Sequence, residues 1–328
     1  MPFQILSLSG GGYLGLYTIS VLAALEKKCG RPIAQSFDLI AGTSVGGIIA
    51  LGLALEKPAA KIQAAFERNG EAIFSDRAAP RTRIGEMRDV MRYMNGPKYS
   101  DDNLRKTIIE ITGADTKLGA AKHPVMIPTI NVTKGRPQVF KTPHHNTFVT
   151  DLHRRVVDVA LATSAAPTYF PLAQVEDSLF ADGGLYGNSP DILAMHEAEH
   201  FFGVAASDIK VLSVGTTTSH FSFSHAGGRD YGLLQWAAGQ RLVQTAISSQ
   251  QQVVDFMMKH KLSSRYVRID AAQSKEQERD IGLDVATEAA RKTIRGLAQA
   301  SVQDWIVKKE LSDILEYTAP APKFFHTL

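Results

Sequence analysis

The sequence predicts an α/β protein with a mostly parallel central sheet and helices on both faces of that sheet. Short apolar runs alternate along the chain with longer segments in which apolar residues recur at helical spacing. Two of the runs, at residues 5–8 and 37–41, pass directly into glycine-rich turns, as parallel strands do where they lead into a helix. No internal repeat, linker or low-complexity tract interrupts the 328 residues, so we expect one domain over residues 1–328.

Each element of the amino-terminal half has its own sequence signal. A buried strand at residues 5–8 is followed by a helix over 14–28, which Gly30 and Pro32 terminate. The strand at 37–41 leads into a helix of small residues that ends near residue 55. Pro58 then suits the first turn of a helix that reaches about residue 69. Ser100 can cap a further helix over 101–111.

The carboxyl-terminal elements follow the same alternation. Strands at 125–132 and 137–140 are joined by a short polar turn, which predicts a hairpin. We expect a helix over 151–161, a strand end at 179–181, a helix that starts at Pro190, and strands at 209–214 and 265–269. The part from about residue 230 is predicted to be mainly helical, with one long helix over 231–259.

Composition and charge restrict the classes of function. The net charge of +3 is small and the basic residues are scattered, which argues against a nucleic-acid polymer as a partner. The single cysteine cannot form an internal disulfide, and the first residues lack the basic region of a secretion signal. No stretch is apolar over the roughly 18 residues that a bilayer crossing needs. These features predict a cytoplasmic protein whose contact with a membrane is peripheral.

The strongest local signal is the motif Gly-Thr-Ser-Val-Gly at residues 42–46, between an apolar strand and a helix. A nucleophile at such a turn adopts a strained backbone, and its neighbours must be small. Gly42 and Gly46 provide that space and would form a nucleophile elbow. The alternative is a serine that only caps the following helix. The position directly after a strand favours Ser44 as the nucleophile.

A second signal, Ser-Gly-Gly-Gly-Tyr-Leu-Gly at residues 9–15, follows the first strand. Consecutive glycines expose backbone amides, which can bind an anion. In an acyl hydrolase that anion is the tetrahedral oxyanion, and Gly10, Gly11 and Gly12 are the candidate oxyanion hole. The alternative is a nucleotide-binding regulatory module, because the letters also fit G-x-G-x-x-G. No acidic ribose partner follows at the expected distance, so the oxyanion hole is favoured.

A third signal is Asp182-Gly183-Gly184, followed by Asn188, Ser189 and Pro190. An aspartate at a strand end with glycines after it can approach another loop closely. Taken by itself it also fits an ordinary surface turn. Its order after the glycine loop and the serine motif is what makes Asp182 a candidate catalytic residue.

Together these motifs resemble the patatin-like phospholipase family. The resemblance includes Gly-Gly-Gly-x-x-Gly after the first strand, Gly-Thr-Ser-x-Gly-Gly at the elbow, the segment Ala-Thr-Ser-Ala-Ala-Pro at 162–167, and Asp-Gly-Gly with its Asn-Ser-Pro. It extends in family order from about residue 5 to 190. It implies a serine lipid acyl hydrolase of the phospholipase A type, in which Ser44 is the nucleophile and Asp182 the base. The chain departs from the family at Leu14, where a basic residue is usual.

The resemblance implies a catalytic dyad without a histidine, and no cofactor or metal. An unperturbed aspartate, with a pKa of about 3.9, is a poor base for a serine hydroxyl, so a dyad needs burial to raise that pKa. His196 and His200 are spaced for one helix face and could be metal ligands, although a surface pair is favoured. A Ser-His-Asp esterase or acyltransferase remains the alternative enzyme.

Residues 72–100 mix arginines with Phe74, Met87, Met91, Tyr93 and Met94, and their periodicity is weak. This composition suits a cover that meets a lipid surface, and it also fits an ordinary insertion packed on the domain.

Within the family, the short chain and its opening run Ile-Leu-Ser-Leu-Ser-Gly-Gly-Gly resemble bacterial members, some of which degrade phospholipids in anti-phage defence when a cyclic nucleotide activates them. The resemblance therefore implies membrane phospholipids at the inner face as substrate, a cyclic nucleotide activator and a homo-oligomer. Regulation or oligomer contacts would involve the helix at 231–259. An unregulated lipase is the alternative.

Overall fold

The computed structural model describes residues 2–74, 96–217, 228–232, 235–236 and 241–328. Within these residues one sheet of eight strands forms the centre of the molecule. The strands are β1 Phe3–Leu8, β2 Leu39–Gly42, β3 Val125–Asn131, β4 Arg136–Lys141, β5 Ala173–Val175, β6 Ser178–Asp182, β7 Ile209–Val214 and β8 Tyr266–Ile269.

The pairing of the central strands is parallel. Five strands run side by side in the order β3, β2, β1, β7, β8. On the β3 side, β4 and β6 pair antiparallel with β3, and β5 pairs antiparallel with β6. The prediction of a mostly parallel sheet is confirmed, and the predicted hairpin is present as β3 and β4.

Helices cover the sheet. None of those in the described ranges is both long and apolar enough to cross a membrane. Within the same ranges the α-helices are α1 Gly15–Cys29, α2 Val45–Ala54, α3 Ala59–Ile73, α4 Asp102–Thr112, α5 Val156–Ser164, α6 Gly184–Gly187, α7 Asp191–Phe201, α8 Arg241–Leu262, α9 Glu288–Trp305 and α10 Lys309–Glu316.

Two apolar cores lie on opposite faces of the sheet, because successive side chains of a strand point in opposite directions. In β1, Leu6 and Leu8 belong to the larger core, which α1 to α5, α9 and α10 cover. Ile5 belongs to the smaller core, to which α7 and the carboxyl-terminal end of α8 contribute. All six residues of β1 are buried, as expected of a parallel strand with helices on both faces.

Two predicted helices differ from the structure. Over residues 151–161, Asp151–His153 forms a single 3-10 turn and α5 starts only at Val156. The break arises because the backbone at Arg154 is extended and its carbonyl accepts a hydrogen bond from the Leu118 amide at 2.8 Å.

The predicted helix over 231–259 is wrong at its beginning. Tyr231 is not helical, whereas Gln235 and Trp236 are, and the described helix α8 covers Arg241–Leu262. Gly232, directly after Tyr231, disfavours helix formation there.

The ends of β2 and β6 meet beside β3. Since β4 pairs along residues 126–131 of β3, the strands β2 and β6 share its other edge. β2 pairs near the start of β3, with Ala41 opposite Met126. β6 runs the other way and pairs further along, with Asp182 opposite Thr129. The two strands therefore run towards each other, and their carboxyl ends bring the loop after Gly42 close to Asp182.

Candidate active site

Ser44 occupies a strained turn between β2 and α2. Its backbone angles are φ 55° and ψ −128°, a left-handed combination that costs a residue with a side chain on the order of 1–3 kcal/mol. The amides of Gly47 and Ile48 both donate to the Ser44 carbonyl, at 2.8 and 3.1 Å, which starts the helix immediately. The predicted strand, elbow and helix are therefore present at this position.

Gly42 and Gly46 leave no space for side chains at the elbow. A Cβ on Gly42 would lie 2.2 Å from the Gly46 carbonyl oxygen, and a Cβ on Gly46 would lie 2.4 Å from the carbonyl oxygen of Leu8. Either change would force α2 away from the strands beneath it. Because neither residue has a side chain, the turn and the start of α2 can pack directly against the end of β1.

Thr163 holds the elbow from α5. The Ser44 amide donates to Thr163 Oγ1 at 3.0 Å, and the Thr163 hydroxyl donates to the Pro128 carbonyl at 2.7 Å. Thr163 is fully buried. Sequence reasoning placed it in a family segment but gave it no role. A buried threonine that bridges two backbone groups has no local signal, since both partners are distant in sequence.

The Asp182 carboxyl lies beside the Ser44 hydroxyl. The Gly184 amide donates to Asp182 Oδ1, at 2.7 Å. The carboxyl group is buried, and that burial raises its pKa to about 6, although the Gly184 amide and the Ser44 hydroxyl oppose the rise. A carboxylate with this pKa is largely ionised at neutral pH and accepts a proton more readily than an ordinary aspartate.

The first peptide of the glycine loop has a fixed orientation. The Gly10 carbonyl accepts hydrogen bonds from Thr216 Oγ1 at 3.0 Å and Asn188 Nδ2 at 3.2 Å. The Gly10 amide donates to the Asn188 carbonyl at 2.9 Å, so it is not free to bind an oxyanion. This corrects the inclusion of Gly10 in the predicted oxyanion hole as an amide donor. Because a peptide is trans, its N–H points away from its carbonyl, and the Gly11 amide is directed away from Thr216.

Gly11 and Gly12 line the same pocket as Ser44 and Asp182. Neither of their amides donates a hydrogen bond within the described parts of the chain. Gly12 has φ 57°, and a Cβ there would lie 2.1 Å from the Leu283 carbonyl oxygen. That carbonyl accepts a hydrogen bond from the Tyr13 amide at 2.7 Å, which fixes the end of the loop. Leu283 and Thr216 were missed by sequence reasoning because both contacts are long-range.

The pocket around these groups is mainly apolar. Its walls come from α2 to α4, from the segment after α5 and from the first turns of α8. Apolar and aromatic residues that line it are Val45, Ile48, Phe66, Phe74, Leu104, Ala166, Pro167, Tyr169, Phe170, Leu185, Val243, Ile247 and Leu283. Such walls restrict the access of water to Ser44 and Asp182 and suit an aliphatic chain.

Phe74 belongs to the wall of this pocket. Its ring lies 5.9 Å, centroid to centroid, from both Tyr99 and Phe170. The remaining apolar residues of the predicted cover, from Met87 to Met94, lie outside the described residues. Leu14, where a basic residue is usual, is buried in the larger apolar core.

No histidine among the described residues lines the pocket. His196 and His200 lie on α7 with their rings stacked at 5.4 Å. Over the described ranges, no group of three His, Cys, Asp or Glu side chains is arranged to hold a metal ion. His220 and His225 lie outside those ranges.

Comparisons with known proteins agree with the motifs. A family model described as patatin-like phospholipase matches residues 6–195, which contain the glycine loop, Ser44 and Asp182. The chain is 40% identical to a cGAMP-activated phospholipase of Pseudomonas aeruginosa, over 99% of this chain and 95% of that protein. It is 38% identical to one of Vibrio cholerae (98% and 96%) and 35% identical to one of Escherichia coli (92% and 89%).

The matched region covers more than half of the chain, and these relatives cover nearly all of it. The fold, the order of the motifs and the similarity agree on one assignment: this chain is a lipid ester hydrolase and belongs to the patatin-like phospholipase family.

Proposed function

We propose that the protein hydrolyses acyl esters of membrane phospholipids with Ser44 as nucleophile and Asp182 as its base. The observation that carries the proposal is the position of the Ser44 hydroxyl beside the buried Asp182 carboxylate, in an apolar pocket. A nucleophile beside a general base, with amide donors nearby, is the arrangement that acyl transfer needs.

In the first half of the reaction, Asp182 takes the proton from Ser44 as the serine oxygen attacks the acyl carbonyl carbon. The negative charge moves to the carbonyl oxygen, where the Gly11 and Gly12 amides would donate to it. A single donor of this kind is typically worth about 10²–10³ in rate. When the tetrahedral intermediate collapses, the ester bond breaks, and protonated Asp182 returns the proton to the departing alkoxide of the lysophospholipid.

In the second half, a water molecule takes the place of the lysophospholipid. Asp182 removes a proton from that water, which attacks the acyl-serine carbonyl. Collapse of the second intermediate releases the fatty acid, and the proton on Asp182 returns to the Ser44 oxygen. One carboxylate therefore acts in turn as base and acid in both halves.

The substrate assignment is supported by the pocket's walls. Phe66, Leu104 and Ile247 line the same pocket as Ser44 and make its wall apolar. This wall fits the long acyl chain of a lipid better than the short polar acyl group of a water-soluble ester. We propose that the protein acts in the cytoplasm at the inner face of the membrane, bound peripherally while it extracts an acyl chain.

We also propose that a cyclic dinucleotide activates the enzyme. The three relatives named cGAMP-activated phospholipase match this chain along nearly its whole length, including the part beyond the family domain.

Self-association is a further part of the proposal. Val253, Phe256 and Met257, which recur along one side of α8, are exposed, and such a stripe suits a contact with a second copy. The test is whether Phe256→Glu lowers the mass measured in solution.

The catalytic proposal is tested by two linked measurements. A fluorophosphonate probe should label the wild type covalently, and peptide mapping should place the label on Ser44. Release of fatty acid from mixed phospholipid vesicles should depend on Ser44 and should increase with cGAMP. A folded wild-type protein that is never labelled would contradict the serine mechanism.

A histidine triad makes a different prediction. Replacing His220 or His225 by alanine should leave hydrolysis close to wild type if Asp182 is the base. Loss of turnover in either variant would favour a Ser-His-Asp enzyme instead.

A further inference from the structure

A cleft with charged residues on one wall lies between α1 and α9, separate from the catalytic pocket. Ser20 and Ala24 of α1 line one side, and residues spaced along one face of α9 line the other. Gly296, in the middle of that face, is open: a Cβ there would meet no heavy atom within 4 Å. The cleft therefore has a floor of small residues and room above it for a ligand.

The cleft carries positive charge. Arg291, Lys292 and Arg295 line it with one carboxylate, Glu288, which gives the lining residues a formal charge of +2; Glu67 and Glu71, which pair with the arginines, lie outside that lining. A cyclic dinucleotide carries two phosphodiester groups and so a charge of −2. Guanidinium groups bind phosphate through two parallel hydrogen bonds, which makes arginine well suited to this ligand.

Polar groups suited to the bases accompany the cations. Gln299 and Gln303 lie along the same face of α9 and carry amides that can both donate and accept. The Ser20 hydroxyl oxygen is buried and has no hydrogen-bond partner among the described residues. Most buried polar groups in proteins are paired, so this hydroxyl is a position where a bound ligand would supply the missing partner.

The cations now contact carboxylates that a phosphate could replace. Arg291 bonds to Glu71 at 3.0 Å, Arg295 lies 3.6 Å from Glu67, and Lys292 lies 2.7 Å from Glu288. Each of these pairs has at least one largely exposed member, and exposed ion pairs contribute little stability. A ligand with two phosphates can therefore compete for the same cations.

The same helices form parts of the catalytic pocket. α1 begins at Gly15, directly after the glycine loop, and the segment before α9 contains Leu283, whose carbonyl binds the Tyr13 amide. Glu67 and Glu71 belong to α3, which also contributes Phe66 to the pocket wall. A ligand that changes the contacts of Arg291 and Arg295 would thus affect both the glycine loop and the wall of the catalytic pocket.

We propose that the cleft between α1 and α9 is the binding site of the activating cyclic dinucleotide. This inference depends on the proposed activation, and it adds the location of the site. Binding at the cleft is coupled to catalysis through two connections, α3 to the acyl pocket and Leu283 to the glycine loop.

The test measures cGAMP binding directly, by calorimetry with full-length protein, so that it does not depend on turnover. Lys292→Ala combined with Arg295→Ala should weaken binding about 100-fold, because each substitution removes a charge-assisted hydrogen bond to phosphate that is worth roughly tenfold in affinity. The matched control is Lys259→Ala combined with Lys309→Ala. Both control lysines are exposed on helices and pair with an aspartate four residues away, as Lys292 pairs with Glu288. The control should bind like the wild type.

A steric pair of variants provides a second test. Gly296→Leu should fill the cleft and abolish binding, whereas Gly296→Ala should bind like the wild type, since the position is open. Thermal unfolding without ligand shows that each variant is folded, and cGAMP should raise the unfolding temperature only of the proteins that bind it.

If the Lys292→Ala, Arg295→Ala double variant and Gly296→Leu both bind cGAMP with wild-type affinity, the cleft is not the binding site. If the wild type itself does not bind cGAMP, the site and the proposed activation are both overturned. Ser44-dependent hydrolysis would still stand in that case, so the two proposals fail in distinguishable ways.

Discussion

The Ser44 hydroxyl lies beside the Asp182 carboxylate at the point where two oppositely directed strands end beside β3. Ser44 follows β2 and Asp182 is the last residue of β6. The contact between the two side chains therefore depends on the sheet pairing as well as on the elbow itself.

Asp182→Asn should lower kcat for phospholipid hydrolysis by about 10²–10⁴-fold, because the amide cannot accept the serine proton. Fatty-acid release from vesicles measures the effect. Asp177→Asn is the matched control, since Asp177 is exposed in the turn before β6. Equal activity in the two variants would exclude Asp182 as the base.

The pH dependence of kcat/KM should reflect the pKa of Asp182, which burial raises to about 6. The base works only when it is deprotonated, so the rate should rise with pH up to about 6 and then level off. A water-soluble ester without an ionisable group is the suitable substrate. A rise in kcat/KM centred near pH 4 instead would mean that Asp182 is not desolvated in solution.

The same group should make folding stability depend on pH. Its pKa rises from 3.8 to about 6 on folding, so the folded state retains a proton that the unfolded chain has lost between those values. Wild-type stability should therefore fall as pH rises from about 4 to 6, by up to about 3 kcal/mol. Asp182→Asn should not show this loss. Denaturant unfolding at a series of pH values measures the difference, and parallel curves would contradict it.

Gly12→Ala should reduce kcat by about 10²–10³-fold, as expected for a displaced oxyanion donor. The new Cβ would collide with the Leu283 carbonyl and shift the loop. Gly30→Ala is the control, because Gly30 also has a positive φ, 67°, but a Cβ there meets no atom within 4 Å. The control should lose some stability and keep its activity. A similar loss of activity in both would mean that the effect is one of folding.

Thr163→Val should destabilise the protein by about 1–3 kcal/mol and lower kcat, because it leaves the Ser44 amide and the Pro128 carbonyl without their partner. Thr163→Ser keeps the hydroxyl and should restore most of the activity. Unfolding curves together with kcat for the three proteins test the point. Valine and serine variants of equal activity would show that the bridge does not position the elbow.

The sequence was sufficient where the signal is local. The Ser44 elbow combines an apolar strand, two glycines and a helix of small residues, all within a short segment, and four of the six residues of the strand Ile209–Val214 are apolar. The alternation of such segments was enough to predict the α/β class. Asp182 was found only through its order among the other motifs.

Long-range contacts could not be predicted. Thr163, Asn188, Thr216 and Leu283 orient the elbow and the glycine loop, but each bonds to a backbone group far away in the chain. The same limit explains Gly10, since its amide is engaged by Asn188 from the loop after Asp182. The helix boundary near Arg154 also depends on a long-range contact, the hydrogen bond from the Leu118 amide to the Arg154 carbonyl.

Because β2 and β6 meet along one edge of β3, hydrolysis requires the correct register between β6 and β3. A slip of one residue between β6 and β3 would displace Asp182 by about 3.3 Å and turn its side chain to the opposite face of the sheet. A chain with nearly correct secondary structure but a shifted strand would have no base beside Ser44. Partly folded copies of this enzyme should therefore be harmless to the membrane of the cell that makes them.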